Sequence, residues 1–317
     1  NHPLRLPDPS TMPVSRAYFQ VAFRDQVAWT AVVNVVGPIV DANMPAWSYG
    51  NRLFRSIWVQ PDPDGVRRRK IGHYRHASGH LYLPFGQSWP VFRRHVYLTT
   101  RAMVSRTKLP ELDERTKEEM DLQEQLAAEH RCPFLMQEYW RGRRPPGKQE
   151  WLYWCSVDLE KFYPTVRLSV VHDNIVRQLP EQWRSDASRL LESMLRFRLN
   201  LNEWTNDDLD KMGIRSGTRS FRHIPTGLYV AGFLANAGLL SVDRDVVKHL
   251  KDHSVAHFRF VDDHIVLAYT FDDLVAWVRQ YMTILADSHT GVKVNWGKVE
   301  PKELASFFEA TAQSSKG

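Results

Sequence analysis

The chain has 317 residues, of which 43% are hydrophobic and 25% are charged, a composition typical of globular proteins. No window approaches the roughly 20 consecutive apolar residues of a membrane span, and no signal segment opens the sequence. A soluble, cytoplasmic protein without membrane contact is therefore expected, and the two cysteines, Cys132 and Cys155, give no indication of a zinc site or a disulfide framework. The first residue is Asn, and a fragment of a longer protein is expected.

Positive charge is concentrated in the N-terminal third. The formal net charge is +6, and residues 1–110 hold 15 Lys and Arg against 5 Asp and Glu. Such an imbalance favours a polyanionic partner, with a solvated basic face as the other interpretation. The same residues are rich in Pro and Gly and are predicted to be irregular, with a turn at 61–65. An exposed acidic helix at 111–130 and a basic loop at 141–148 follow.

From residue 150 onward the hydrophobic pattern becomes regular. Thr270 and Asp273 provide a plausible N-terminal cap for one of the helices. The predicted order indicates an α+β domain with helices on one face of a small antiparallel sheet. Its elements are a strand at 151–157, helices at 169–178, 181–198 and 227–250, strands at 255–261 and 264–269, a helix at 271–285 and a strand at 291–294.

Two adjacent carboxylates, Asp262 and Asp263, lie between two apolar runs. Neighbouring side chains in a strand point to opposite faces, so a tight turn is needed to bring both acids to one place. Two carboxylates at such a short distance repel each other unless a cation lies between them. Mg²⁺ is a suitable cation, because it accepts a few carboxylates together with phosphate oxygens and water. The other interpretation is a polar hairpin turn, since Asp favours turns.

Asp158 follows the predicted strand at 151–157 and precedes the aromatic pair Phe162-Tyr163. An acid at the end of a buried strand is well placed to meet two more acids on a neighbouring hairpin. Three carboxylates can hold two metal ions ~3.5–4 Å apart, which suits in-line phosphoryl transfer. Taken alone, Asp158 could equally cap the turn after its strand.

Gly227 ends the segment Ile224-Pro225-Thr226-Gly227, at the start of the predicted long helix. Glycine allows close backbone approach, and a helix N-terminus offers free N–H groups to phosphate. The pattern predicts a nucleotide contact at Gly227 and nucleic-acid contacts at Arg219 and Arg222, unless the segment is an ordinary Pro-Gly helix start.

Four segments between residues 150 and 300 resemble the palm motifs of reverse transcriptases, in the same order. Asp158 with Phe162-Tyr163 resembles motif A, and Phe260-Val261-Asp262-Asp263 resembles motif C. Ile224-Pro225-Thr226-Gly227, continuing into Leu234-Ala235-Asn236, resembles motif B. The segment 291–298, which ends at Lys298, resembles motif D.

The resemblance implies the fingers and palm of a right-hand polymerase. Residues 1–149 would be a fingers-like basic region and residues 150–317 the palm, with the thumb absent or replaced by a helical C-terminal domain outside this chain. Asp158, Asp262 and Asp263 would be catalytic ligands of two Mg²⁺ ions, or of Mn²⁺, and the backbone carbonyl of Leu159 a further ligand.

The resemblance also implies a set of nucleotide contacts. Tyr163 would lie under the sugar and disfavour a 2′-hydroxyl, beside Phe162, whose ring would pack mainly in the core. Lys298 would neighbour the phosphates and act as a general acid, or else be a solvated surface lysine.

Two regions depart from the usual pattern. Thr226 stands where most reverse transcriptases have glutamine, and the standard basic residues of the fingers have no clear match. Arg52 is the best candidate for the triphosphate. The best candidates for nucleic acid in this region are Arg67, Arg68, Arg69 and Lys70.

These departures, together with the segment Ser48–Leu53, bring the sequence nearer to the abortive-infection and other defence-associated reverse transcriptases of bacteria, the unknown-group family. That narrower resemblance implies an RNA-directed or template-independent DNA polymerase acting on dNTPs in antiphage defence. It further implies RNA and DNA as partners, with a template or an associated noncoding RNA, and assembly as a homo-oligomer or with a partner protein. The alternative is a polymerase-derived nucleic-acid-binding scaffold without catalysis.

Overall fold

Nine helices and nine strands make up the part of the chain that the computed structural model describes, which is residues 19–61, 67–74, 80–103, 132–145, 152–198, 205–207, 220–299 and 302–303. Short 3-10 helices occupy Pro133–Leu135, Leu250–Asp252 and Trp296–Lys298. The helices are α1 (Phe23–Ala42), α2 (Phe85–Met103), α3 (Gln137–Trp140), α4 (Phe162–Thr165), α5 (Leu168–Gln178), α6 (Glu181–Met194), α7 (Ala231–Gly238), α8 (Leu240–His249) and α9 (Phe271–Asp287). The strands are β1 (Ser48–Tyr49), β2 (Arg55–Pro61), β3 (Arg67–Tyr74), β4 (Tyr153–Asp158), β5 (Phe197–Arg198), β6 (Ser220–Phe221), β7 (Val255–Phe260), β8 (Asp263–Ala268) and β9 (Lys302–Glu303).

A five-stranded sheet lies at the centre, with the strand order β1-β7-β8-β4-β9. Three of its four pairings are antiparallel, which agrees with the sequence prediction. The fourth differs, because β1 runs parallel to β7 and so makes the sheet mixed. Two further antiparallel pairs, β2 with β3 and β5 with β6, stand outside this sheet.

Strand β7 is buried on both faces, so the prediction that helices cover one face only is wrong. Phe258 and Phe260 point to one side, where they meet Phe92 and Trp89 of α2. His257 and Arg259 alternate with them and face α7, α8 and α9 on the other side. Alternation along the strand thus sends an aromatic set toward α2 and a polar set toward the C-terminal helices.

The prediction that residues 1–110 are irregular is also wrong. They contain the two longest helices of the described chain, α1 and α2, and the hairpin of β2 and β3. Pro38 and Pro90 lie inside these helices, and such prolines normally indicate a helix end. Burial of one face, including Trp29 in α1 and Phe92 in α2, stabilises the helices in spite of them.

The helix predicted at 227–250 begins later and is divided. Residues 225–230 form turns, α7 begins at Ala231, and Leu239 separates it from α8 with ψ near zero. Predicted helix 181–198 ends at Met194, and the strand predicted at 291–294 is reduced to one bridge between Val294 and Leu159.

Helix α9 and the strands before it agree with the sequence pattern to within two residues. The side chain of Thr270 accepts a hydrogen bond from the backbone N–H of Asp273, which confirms the predicted cap. The acidic helix predicted at 111–130 lies outside the described residues, as do residues 146–151 of the predicted domain division.

Candidate active site

A two-residue hairpin turn carries the first of the two adjacent acids. Strands β7 and β8 are joined by Val261 and Asp262, with Phe260 paired to Asp263 across the turn. Such a short loop requires a positive φ at its first residue, where Gly or Asn is preferred. Val261 takes this position with a φ of 59°. A β-branched residue in that region is strained, and strain of this kind is concentrated at functional sites.

Strand β1 and the glycine that follows it, Gly50, pack against the turn and hold it in place. The Val261 N–H donates to the Tyr49 carbonyl at 3.1 Å. Gly50 has a φ of +72°, and a Cβ added there would lie 2.6 Å from a Val261 methyl carbon. Only glycine combines that backbone with that close approach, so Gly50 permits the strained turn to rest directly on β1.

The third acid lies on the adjacent strand, directly opposite the second. Asp158 is the last residue of β4, and its register partner on β8 is Asp263. Directly opposite residues in an antiparallel pair have Cβ atoms about 4.5–5.5 Å apart. The N–H of Leu159 then donates to the Asp262 carbonyl at 3.2 Å, which ties the end of β4 to the turn. The three acids predicted from the sequence are therefore neighbours.

Mutual repulsion is visible in the electrostatics of the cluster. Partial burial raises the pKa of Asp263, the negative charges of Asp262 and Asp158 raise it further, and Lys298 opposes them. The Lys298 ammonium lies 3.0 Å from a carboxylate oxygen of Asp158. Asn295 donates to that same oxygen at 3.2 Å. The motif D-like segment thus contributes a cation to a site that needs one.

A buried histidine supports the turn from within the sheet. His264 is fully buried, and its Nδ1 lies 3.2 Å from the Val157 carbonyl oxygen and 3.1 Å from that of Asp262. Tyr281 of α9 bonds its Nε2 at 2.9 Å. Burial lowers the pKa of His264 to about 3, so the ring is neutral. Two carbonyl partners place its single proton on Nδ1, where it fastens both strand ends.

Tyr163 stands beside the acids, and its contact with the sugar stays a prediction. Burial raises the pKa of its hydroxyl, Asn51 lowers it, and Asp262 raises it again, which indicates that the phenol lies near that carboxylate. Asn51 donates to the Tyr163 oxygen at 3.2 Å. The side chain of Asn51 is itself pressed against Gly232 of α7. Phe162 is buried in the core beside Tyr163.

Gly227 is not at a helix N-terminus, contrary to the prediction. It lies in a turn with a φ of +114°, four residues before α7 begins. Its carbonyl accepts a hydrogen bond from Gln26 of α1 at 2.8 Å. The described geometry therefore explains the glycine by its backbone conformation, and a contact with nucleotide stays a prediction.

Arg52 is occupied by the protein itself. Its guanidinium forms an ion pair with the buried Asp41 at 2.9 Å and donates to the carbonyls of Asp41, Pro45 and Ser48. These bonds fasten the end of α1 to the loop after β1, a structural role that the sequence did not suggest. Its predicted nucleotide contact is untested.

The predicted nucleic-acid contacts are only partly described. Arg222 is exposed just after β6. The backbone of Arg67, Arg68, Arg69 and Lys70 forms the first half of β3, while their side chains lie outside the description, and so does the whole of Arg219.

The acid cluster fits Mg²⁺ by its donor chemistry, not as a finished cage. Among the described residues, no three His, Cys, Asp or Glu side chains are arranged to hold a metal ion by themselves. Mg²⁺ is commonly held by one or two carboxylates together with substrate phosphates. Asp158, Asp262 and Asp263 would hold it in that way, with Lys298 beside Asp158 as a cation in the same place.

Comparison with known proteins gives a distant structural likeness. No protein family and no curated protein matches the sequence. Apo telomerase from Candida tropicalis, truncated from its C-terminal domain, is 12% identical with a TM-score of 0.37, over 87% of this chain and 55% of that one. Telomerase from Candida albicans with a fragment of telomeric RNA is 9% identical with a TM-score of 0.36, over 78% and 42%.

The chain spans about half the length of these telomerase structures. At scores this low the likeness does not by itself establish a shared fold, and resemblance to the bacterial defence group stays a prediction. Within the described residues, no helix is both long and apolar enough to cross a bilayer.

Proposed function

We propose that this chain is the catalytic part of a reverse-transcriptase-like nucleotidyl polymerase that uses dNTPs. The observation that carries the proposal is the register of Asp158 opposite Asp263, with Asp262 tied to the same strand end through Leu159. A polar hairpin turn alone would not require a third acid on the neighbouring strand. Nor would it require a valine in a strained conformation.

Each residue of the site has a definite task in nucleotidyl transfer. When bound, two Mg²⁺ ions would lower the pKa of the attacking hydroxyl and stabilise charge on the leaving pyrophosphate. The three aspartates would hold and orient these ions, and the ordered turn keeps the spacing of the three carboxylates. The Lys298 side chain is exposed, and the flexible four-carbon stem of a lysine would let its ammonium turn from Asp158 toward incoming phosphates. Tyr163 forms a wall near Asp262 where the sugar would lie.

The test is dNTP incorporation by a variant with Asp262→Asn and Asp263→Asn. Asparagine keeps the shape of both side chains and removes their charge, so the fold should persist while incorporation falls by roughly 10³-fold or more. Asp287→Asn, at the exposed end of α9, is the matched control. Retained incorporation by a folded double variant would refute the proposal.

A second candidate is a nucleic-acid-binding scaffold without catalysis. The engagement of Arg52 by Asp41 favours it, because the best candidate for the triphosphate is held elsewhere. Its discriminating property is metal-dependent dNTP binding. Calorimetry with a nonhydrolysable dNTP and Mg²⁺ should show binding by the wild-type protein that the double asparagine variant lacks. Binding of nucleic acid without metal-dependent binding of dNTP would favour the scaffold.

We further propose a role in bacterial antiphage defence, with either an RNA template or none. Thr226, where glutamine is usual, supports the template-independent form. Treatment of the purified protein with ribonuclease before dNTPs are added separates the two forms. Lost synthesis would indicate an RNA template, and persistent synthesis would indicate none. Assembly with further copies or another protein, and a cytoplasmic setting, belong to the same proposal.

A further inference from the structure

A buried ion pair lies beneath the catalytic turn, on the face of β7 toward the C-terminal helices. Arg259 is fully buried, and its Nη2 lies 2.6 Å from a carboxylate oxygen of Asp243 in α8. Its Nε donates to the other oxygen of that carboxylate at 3.3 Å. Burial of two charges costs about as much as their attraction returns, so stability alone gives no reason for this pair.

The remaining nitrogen of Arg259 reaches the turn itself. Its Nη1 donates to the Val261 carbonyl at 3.3 Å and to the Asn236 side-chain oxygen at 2.8 Å. Asn236, also fully buried, donates in turn to the Gly50 carbonyl at 3.0 Å. The Arg259 guanidinium therefore joins α7 and α8 directly to Val261 in the strained turn, and Asn236 extends the connection to Gly50.

We propose that Arg259 is a positioning residue that holds the Val261-Asp262 turn in its strained conformation, so that Asp262 and Asp263 face Asp158. The proposal rests on the proposed function for its catalytic consequence. Its conformational part stands separately. Asp243 fixes the direction of the guanidinium fork, because a planar group bonded through two nitrogens has little freedom left for the third. Lysine, with one nitrogen, could not bond Asp243 and Val261 in this manner.

The central experiment replaces the whole ion pair by apolar residues, Arg259→Met with Asp243→Leu. Such replacement of a buried pair is commonly neutral or stabilising, so the thermal midpoint should be kept. The turn should nevertheless loosen. We expect amide exchange in the peptide covering the turn to rise at least tenfold. We also expect kcat to fall roughly 10²-fold with little change in the KM for dNTP, as misplacement of reacting groups by about 1 Å would cause.

Two further variants separate positioning from packing. Arg259→Lys keeps a buried cation beside Asp243, and it should fold yet show the same loosened turn and lowered kcat. If the apolar double variant does not fold, Arg259→Lys carries the test. Lys248→Gln with Asp245→Asn removes an exposed ion pair on α8, the helix that carries Asp243. This control should change neither amide exchange at the turn nor kcat.

The outcomes are distinct. Faster exchange at the turn together with reduced kcat, in a folded variant, supports the positioning role. Unchanged exchange and kcat in folded Arg259 variants overturns it. If the wild-type protein incorporates no dNTP, the proposed function fails, and exchange at the turn alone decides whether Arg259 holds it.

Discussion

Asp158 and Asp263 face each other across the β4–β8 pair, one at the last residue of its strand and the other at the first. Their relation depends on register, because a slip of one residue would send one carboxylate to the opposite face of the sheet. The β4–β8 pairing continues without a break from Asp158 to Tyr153, which fixes that register over the full length of both strands. The site is therefore specified by the sheet and not by a flexible loop.

Removal of one acid should stabilise the protein when no metal is present. Because the pKa of Asp263 is raised, its favourable contribution to folding is present at low pH and is lost as pH rises through the raised pKa. Asp263→Asn should therefore melt higher than wild type at pH 7 in EDTA, by on the order of 1–3 °C, and not at pH 3. Scanning calorimetry at both pH values, with Asp287→Asn as control, measures the difference. If Asp263→Asn melts no higher than wild type at pH 7, the result would contradict repulsion between Asp263 and the other two carboxylates.

Lys298 should compete with the metal for Asp158. Loss of its positive charge in Lys298→Gln should lower the Mg²⁺ concentration needed for half-maximal binding by roughly two- to fivefold, since an exposed ion pair contributes at most about 1 kcal/mol. Turnover should fall in the same variant if the ammonium serves the phosphates. Lys293→Gln, an exposed change in the same segment, is the control. Titration with Mn²⁺ in place of Mg²⁺, followed by electron paramagnetic resonance, measures the affinity of each variant for the metal. Equal affinity in both variants would exclude competition.

Asn51 should influence sugar selection through Tyr163. Tyr163→Ala removes the wall and should raise ribonucleotide use relative to dNTP use by roughly tenfold or more. Tyr163→Phe and Asn51→Ala each remove one end of the same hydrogen bond, so they should give smaller and equal shifts. Combined, the two should be no worse than either alone, since they share one interaction. Asn43→Ala, at the end of α1, is the control; additive effects would show that Asn51 acts by another route.

Gly50 should tolerate no side chain. Gly50→Ala adds a Cβ that collides with Val261, on top of an unfavourable backbone conformation. Gly142 has a similar φ of +80° but nothing within 4 Å of an added Cβ. Gly142→Ala should therefore cost only the backbone strain, about 1 kcal/mol, whereas Gly50→Ala should cost roughly 2–4 kcal/mol and most of the activity. Chemical denaturation of both variants compares the two costs directly, and equal losses would mean that Gly50 is needed for its backbone alone.

The sequence was sufficient to predict the acid cluster, because each acid is adjacent to an apolar strand whose end is readable. It was sufficient for α9 as well, where apolar spacing and the Thr270 cap agree. It failed for α1 and α2, where internal prolines outweighed a pattern of burial that only tertiary packing makes clear.

The polar residues beneath the turn were missed for a different reason. Arg259 and His264 lie inside runs that a strand pattern assigns to an apolar core, and their partners are distant along the chain. The one available signal was their chemistry, since a charged or titratable residue within a buried strand requires a partner. The contact of Asn51 with Tyr163 was not predicted, because the two residues lie 112 positions apart along the chain.

The parallel pairing of β1 with β7 also constrains how the protein folds during its synthesis. Tyr49 is synthesised before β7, because its register partner Phe260 follows 211 residues later in the chain. Contacts of such long range are made late and slowly. Until β7 is synthesised, the face of α2 that packs against it stays uncovered, which exposes Trp89 and Phe92 to aggregation and to chaperones during translation. The complete acid cluster can therefore form only after nearly all of the described residues have been synthesised.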